Sequence, residues 1–316
     1  MRSLLYDIIR LNLHWDNLER YYLEPQIIDG KNMATAIRQV VSEDVANLKQ
    51  EHQITPGLAA ILVGDDPASS MYVGLKEKAC EEVGIFSKVF RLPMNVSQKD
   101  LKSLIKELND NKEYHGILVQ LPLPLSIETK EIVQSIEPSK DIEGLHPENI
   151  GRLVLGDPIF VPCVAACVQK MILSTGQDPE GKHAVICGNS VSAGGPIATL
   201  LMQNKPGAGS TVTVCHEKTA DLTELTLQAD ILVSAVGIPN LITADMVKDG
   251  VIAIDVGISR VKDSSRDRGY RVVGDFDFES VAKKASAITP VPGGVGPMTI
   301  AMLLSNTFKA AYHSTI

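Results

Sequence analysis

His183-Ala-Val-Ile-Cys-Gly188-Asn189-Ser190-Val-Ser-Ala-Gly194-Gly195-Pro196 reads as a strand, a loop of small residues and the entry to a helix at Ile197. The aliphatic run suits a strand covered on both faces. Gly188 ends it, and the helix behind the loop points free amides and the positive end of its dipole at whatever occupies the turn. That is an anion cradle, although Gly188 and Gly194 stand too far apart for the GxGxxG fingerprint. A tight turn into a packed helix has the same signature. Outward from this unit, aliphatic runs at 211–215, 230–235 and 251–256 continue a second α/β block over about 166–290. Before it, runs at 58–63 and 116–121 read as strands and 68–83 as a helix. The alternation predicts an α/β protein. Residues 205–210 and 262–269 read as exposed loops.

Composition narrows the partners. At 316 residues the chain can build two cores. Aromatic content of 4 % makes those cores aliphatic. A net charge of −8 argues against nucleic acid, which needs a cationic surface. No apolar run approaches the ~20 residues that span a membrane. Cys80, Cys163, Cys167, Cys187 and Cys215 form no CxxC pair and have no matching pair to complete a zinc site, so no metal is expected. They read as core or surface thiols in a reducing compartment. Near the start, Arg2, Arg10 and Arg20 interleave with leucine and isoleucine, which suits a mitochondrial leader. Asp7, Asp16 and Glu19 are out of character for one, so a short docking helix fits equally.

The run 211–215 continues as His216-Glu217. In a dinucleotide fold the residue closing the second strand meets the adenosine ribose, where a carboxylate accepts both hydroxyls and repels a 2′-phosphate. Glu217 therefore argues for NAD over NADP. In the first block, Tyr72 and Lys76 lie four apart on one helix face, which alone reads as a solvated surface pair. Gln120 follows the strand at 116–119 and precedes two prolines. Thr289-Pro-Val-Pro-Gly-Gly-Val-Gly-Pro-Met-Thr299 packs three prolines and three glycines into eleven residues. It builds a stiff loop with bare backbone, followed by a helix with Pro297 near its start.

Taken together these residues resemble the bifunctional methylenetetrahydrofolate dehydrogenase/methenyltetrahydrofolate cyclohydrolases, over roughly Ile27 to Ala311. Val63-Gly-Asp-Asp-Pro-Ala-Ser-Ser-Met-Tyr-Val73, Val119-Gln-Leu-Pro-Leu-Pro124, Leu145-His-Pro-Glu-Asn-Ile-Gly-Arg152 and Pro290 to Thr299 carry the resemblance. Asn240-Leu-Ile-Thr-Ala-Asp-Met246 resembles the mitochondrial NAD-linked branch. The resemblance implies a folate lobe over 27–165 joined by a C-terminal helix at 297–316, and a Rossmann-like nucleotide lobe over 166–296. Residues 1–26 are an extension, and the location is mitochondrial or, alternatively, cytoplasmic. It implies tetrahydrofolate substrates, a homodimer through the nucleotide lobes, hydride transfer to NAD and opening of the methenyl product by water. Tyr72 would pack on the folate, Lys76 would serve water attack, and Gln120 would hydrogen-bond Lys76. A cleft lysine beside an apolar, cationic ligand is expected to favour its neutral form. Glu143, Pro292, Gly293 and Gly294 would meet the pterin. Gly188, Asn189, Ser190, Gly194, Glu217, Ala235, Val256 and Thr299 would bind the cofactor.

The chain departs from that family's pattern where function is concentrated. Gly-Arg-Ser becomes Gly188-Asn189-Ser190, and the position after Cys-His carries Glu217, so neither place offers a cation. The magnesium-and-phosphate device of the mitochondrial branch is therefore not expected. Lys-Asp-Val-Asp-Gly becomes Lys140-Asp-Ile-Glu143-Gly, Pro-Cys-Thr-Pro becomes Pro162-Cys-Val164-Ala165, and Ser259 replaces an asparagine. A misplacement of about 1 Å costs on the order of 100-fold in rate. A cyclohydrolase without useful dehydrogenase activity, or a folate- or nucleotide-binding dimer partner, is the alternative.

Overall fold

The computed structural model describes residues 24–266 and 269–315. The arginine-interleaved stretch read as leader or docking helix falls before residue 24, outside the described residues.

The chain starts at β1 (Gln26–Ile27) and enters the long helix α1 (Gly30–His52), capped by the Asp29 carboxylate, which accepts from Lys31 N and Asn32 N. β2 (Gly57–Val63), α2 (Pro67–Glu82), β3 (Phe86–Leu92), α3 (Gln98–Asp110) and β4 (Gly116–Val119) follow. These strands form a parallel sheet in the order β3-β2-β4. All seven residues of β2 are buried, as a central strand with both faces covered requires. Two short helices, α4 (Thr129–Val133) and α5 (Pro147–Leu155), lead out of this lobe.

The second lobe runs α6 (Cys163–Ser174), β5 (His183–Cys187), α7 (Gly194–Leu201), β6 (Thr211–Cys215), α8 (Leu222–Thr226), β7 (Ile231–Ser234) and β8 (Ile252–Asp255). A hairpin of β9 (Ser259–Lys262) and β10 (Tyr270–Val273), then α9 (Phe278–Ala282), β11 (Ala287–Ile288) and α10 (Val295–His313) complete it. The parallel sheet has the order β1-β11-β8-β7-β5-β6. Ala184 and Ile186 pack into one core and Val185 and Cys187 into another, so layers cover both faces. β6 lies on one side of β5 and β7 on the other, which opens a crevice at their C-terminal ends. The architecture is α/β with two lobes, and the expected strands and α2 are present.

Three details differ from the expectations. The strand starting at Gly116 stops pairing regularly at Val119; Gln120 N adds one bond to Ile61 O before the cis Leu121–Pro122 bond. The helix after Pro297 already begins at Val295 and continues well past Leu304. Residues 205–210 form a loop that is only partly exposed. Gly207, Ala208 and Ser210 are buried, because glycines at φ 77° and 84° fold it back under α6. There Gln169 donates to Gly207 O and Ser210 Oγ to Pro179 O.

α10 returns to the first lobe and packs on α1, α2, β2 and β4 as well as on α6. Midway along it, buried Asn306 donates to Ile142 O at 2.8 Å and to Val161 O at 3.4 Å. Asn306→Ala removes the amide donor from the buried Ile142 carbonyl and leaves it only the weak Cys163 thiol. Denaturant unfolding is expected to show a loss of about 1–3 kcal/mol.

Candidate active site

α2 begins on the Asp66 carboxylate, which accepts from Ser69 N at 2.7 Å, with Pro67 in the first turn. That bond, with the Ser69 hydroxyl, holds the Asp66 carboxyl below the usual carboxylate range. The helix then presents half-buried Tyr72 and Lys76 on one face. Lys76 Nζ donates to Gln120 Oε1 at 3.1 Å, and Gln120 Nε2 donates to Leu121 O at 2.7 Å. The two bonds settle which end of the Gln120 amide faces the amine. Lys76 and Gln120 are 44 residues apart, yet the middle of α2 and the end of β4 bring them together.

Glu143 sits on a loop anchored on every side. Lys140 Nζ caps the end of α3 through Leu108 O and Asn111 O, and Ile117 N donates to Lys140 O. Buried Asp141 accepts from His146 N and Asn149 Nδ2. Gly144 has φ 74°, and a Cβ there would sit 2.9 Å from Pro162 N. Burial pushes the Glu143 carboxyl up; the Lys76 charge opposes the shift and the Asp141 charge adds to it. Cys163, behind this loop, donates to Ile142 O, and burial keeps its thiol well above the ordinary value.

Of the pterin-side residues expected in the proline-glycine loop, Pro292 is exposed while Gly293 and Gly294 are buried. Their backbone shapes the turn. Gly293 has φ 114°, and a Cβ on Gly30 would lie 1.9 Å from Gly294 O, so the start of α1 and the loop touch backbone to backbone.

The second cluster lies where β5, β6 and β7 end. A groove of about 790 Å³ is lined there by Gly188, Asn189, Ser190, Glu217, Lys218 and Ala235, with Val236, Ile238, Leu222 and Leu241 as its apolar wall. Gly194 is packed beneath the loop: a Cβ on it would meet Gly188 O at 1.9 Å. Glu217 is exposed on a turn closed by Thr219 Oγ1, which accepts from His216 N. Val256 follows β8, one strand further along the sheet, and Thr299 lies in the first turns of α10. Neither lines this groove. Cys187 and Cys215 face each other in register on its floor. Their contact pushes the Cys187 thiol far up and draws the Cys215 thiol down. All five cysteines are free and buried, and among the described residues no group of three or more ligating side chains stands ready for a metal.

Two residues that sequence reasoning missed lie behind the groove. Buried Asp255 accepts from Gly257 N, Asp275 N and Phe276 N; burial, with the Asp275 charge adding, pushes its carboxyl up to about 7. Buried Asp275 accepts from Ser234 Oγ, Val236 N and Gly237 N. The signal available was an acid closing an otherwise wholly apolar strand at Asp255. Arg260, on the hairpin of the second lobe, lies near enough to the start of α2 for its charge to help lower the Asp66 carboxyl.

The profile "Tetrahydrofolate dehydrogenase/cyclohydrolase, catalytic domain" matches residues 28–143, and "Tetrahydrofolate dehydrogenase/cyclohydrolase, NAD(P)-binding domain" matches 162–315. The "Bifunctional protein FolD" of Moorella thermoacetica is 51 % identical over 286 residues, 90 % of this chain and 98 % of the relative. Among solved structures, the bifunctional FolD methylenetetrahydrofolate dehydrogenase/cyclohydrolase of Campylobacter jejuni is 50 % identical with a TM-score of 0.86. It covers 92 % of this chain and 99 % of its own. The Trypanosoma brucei enzyme FolD, solved with NADP and an inhibitor, is 40 % identical with a TM-score of 0.88, over the same shares of both chains. The similar relatives are chiefly bacterial, and they lend no support to the mitochondrial branch or location read from the sequence.

Gly194→Ala drives a methyl into the Gly188 carbonyl and must displace the loop. Titration with a nicotinamide dinucleotide is expected to show affinity falling at least about tenfold, since the donors of an anion cradle act only when aimed.

Proposed function

The chain belongs to the tetrahydrofolate dehydrogenase/cyclohydrolase family, and on that footing we propose that it oxidises 5,10-methylenetetrahydrofolate with NAD and hydrolyses the methenyl product to 10-formyltetrahydrofolate. The observation that carries the reading is the Lys76–Gln120 hydrogen bond beside Tyr72 and Glu143, in a chain whose second lobe holds a groove lined by Gly188, Asn189, Ser190 and Glu217. The groove fits such a cofactor: side-chain-free backbone at Gly188 leads to the N-terminus of α7, and the Glu217 carboxylate stands at the end of β6. Gly188, Asn189 and Ser190 would hold the pyrophosphate, Glu217 the ribose, and Ala235 and Val236 the nicotinamide side. Bound there, the dinucleotide accepts the hydride.

The chain's own residues position the substrate and handle protons. Tyr72 offers a ring face to the pterin system. Glu143, whose carboxyl burial pushes up, offers its oxygens to the pterin edge. Lys76 stands where a water attacking the methenyl carbon exchanges its proton, and Gln120 keeps the amine from swinging away. Replacing Lys76 by Gln is expected to lower cyclohydrolase turnover about 100-fold or more while hydride transfer loses less. Equal losses in both assays would contradict that division of labour.

NAD preference rests on Glu217, whose charge opposes a 2′-phosphate, and on the uncharged Asn189. Lys218 lines the same wall, and it favours a second reading in which NADP is accepted. Parallel assays with NAD and NADP, each with and without magnesium and phosphate, decide between them. Silence with both cofactors and intact cyclohydrolase activity would leave a hydrolase alone. Glu217→Ser is expected to lower the NAD:NADP ratio of kcat/KM about tenfold, the scale of one charge-assisted contact. The homodimer also belongs to this proposal: β6 is an edge strand with exposed Thr211 and Val214, free among the described residues to meet a second copy.

A further inference from the structure

The wall of the nucleotide groove that carries Ala235, Val236 and Ile238 makes its own contacts with a buried carboxylate. Asp275, with no exposed surface, receives Ser234 Oγ at 2.8 Å, Val236 N at 2.8 Å and Gly237 N at 3.2 Å, all on one oxygen. The backbone on either side of Asp275 holds the far end of the same loop: Asn240 N donates to Gly274 O and Ile242 N to Asp275 O. Asp275 is held in turn by Asp255, whose carboxylate takes Asp275 N and Phe276 N. Asp255 N donates to Thr289 Oγ1 at 2.7 Å, at the root of the proline-glycine loop. No side chain fits between these parts. A Cβ on Gly257 would lie 2.1 Å from one Asp275 oxygen, and one on Gly274 2.0 Å from an Asp255 oxygen. That Asp275 oxygen has no hydrogen-bond partner among the described residues. A buried acceptor left unpaired is costly. Its partner oxygen, by gathering three donors, keeps the carboxylate in place.

We infer that Asp275, seated on Asp255, is a positioning residue that fixes the 234–242 cofactor loop relative to the Thr289 root of the substrate loop. The contacts run unbroken from one loop to the other and touch neither Lys76 nor Gln120. The pair therefore serves hydride transfer, which needs both ligands in register, and not the water step. This rests on the proposed dehydrogenase activity.

The test compares Asp275→Ala, Asp275→Asn and Ser234→Ala in the full chain. Three readouts are taken: NAD affinity by calorimetry, dehydrogenase kcat and KM, and cyclohydrolase rate. Asp275→Ala is expected to weaken NAD binding and lower dehydrogenase kcat/KM about tenfold or more, with cyclohydrolase within about twofold. The amide oxygen of Asn still accepts from Val236 N and Gly237 N, so Asp275→Asn is expected to recover most of the loss. Ser234→Ala removes one donor of three and is expected to give a smaller, roughly threefold loss in the dehydrogenase alone; it answers the question if the alanine at 275 fails to fold. Parallel loss of both activities, an asparagine no better than alanine, or an unchanged Ser234→Ala would overturn the inference. A wild-type chain that binds no dinucleotide but hydrolyses methenyltetrahydrofolate would instead remove the reading on which it rests.

Discussion

Both sheets are bound into one apolar core, and everything at the site depends on that continuity. Residues of β2, α6, β5, β7, β8 and α10 belong to a single buried cluster, while two smaller clusters back the outer faces. α10 is the common member. It contributes Val295, Met298, Met302, Leu303 and Leu304, all buried. At about 1.5–3 kcal/mol for each such side chain, their burial is comparable to the whole ~5–15 kcal/mol net stability of a domain. The helix cannot leave without unfolding its surroundings. The loop before it and the Glu143 loop that Asn306 holds are therefore as fixed as the core.

On this base the site is shaped largely by backbone. Gly30 against Gly294, Gly188 against Gly194 and Gly144 against Pro162 are contacts at which no side chain fits. Each brings two stretches of main chain close enough to set a ligand-facing surface. Charge enters sparingly. Lys76 is steered by a neutral amide, Glu143 is made reluctant to ionise by burial, and Glu217 stands in water at the groove's rim. On the proposed function, hydride and proton steps thus draw on separate sets of groups in separate lobes.

The aliphatic strands were legible because runs such as 183–187 are covered on both faces and carry no competing pattern. The turn from Gly188 into the helix at Gly194 was legible for the same local reason. Lys76 and Gln120 were not: one is an ordinary lysine on a helix face, the other an ordinary glutamine at a strand's end, and only the resemblance paired them. The burial of Gly207 and Ser210 escaped because turn residues look alike whether the turn faces water or a helix. Asp275 escaped because its donors lie 38 to 41 residues away in the chain. Neither periodicity nor composition encodes such a contact.

The entry and exit of the chain carry a consequence for how this protein can change over time. β1 pairs with β11 in the nucleotide-binding sheet before α1 crosses to the other lobe, and α10 crosses back after β11. Each lobe is therefore completed by a piece of polypeptide from the far side of the other. Two profiles divide the sequence neatly, yet the fold does not come apart at that line. Recombination that swapped one half for a foreign one would inherit a mismatched strand and a mismatched helix together. Exchange of one half would thus disturb both lobes at once, whereas point substitutions leave the crossing strand and helix in place.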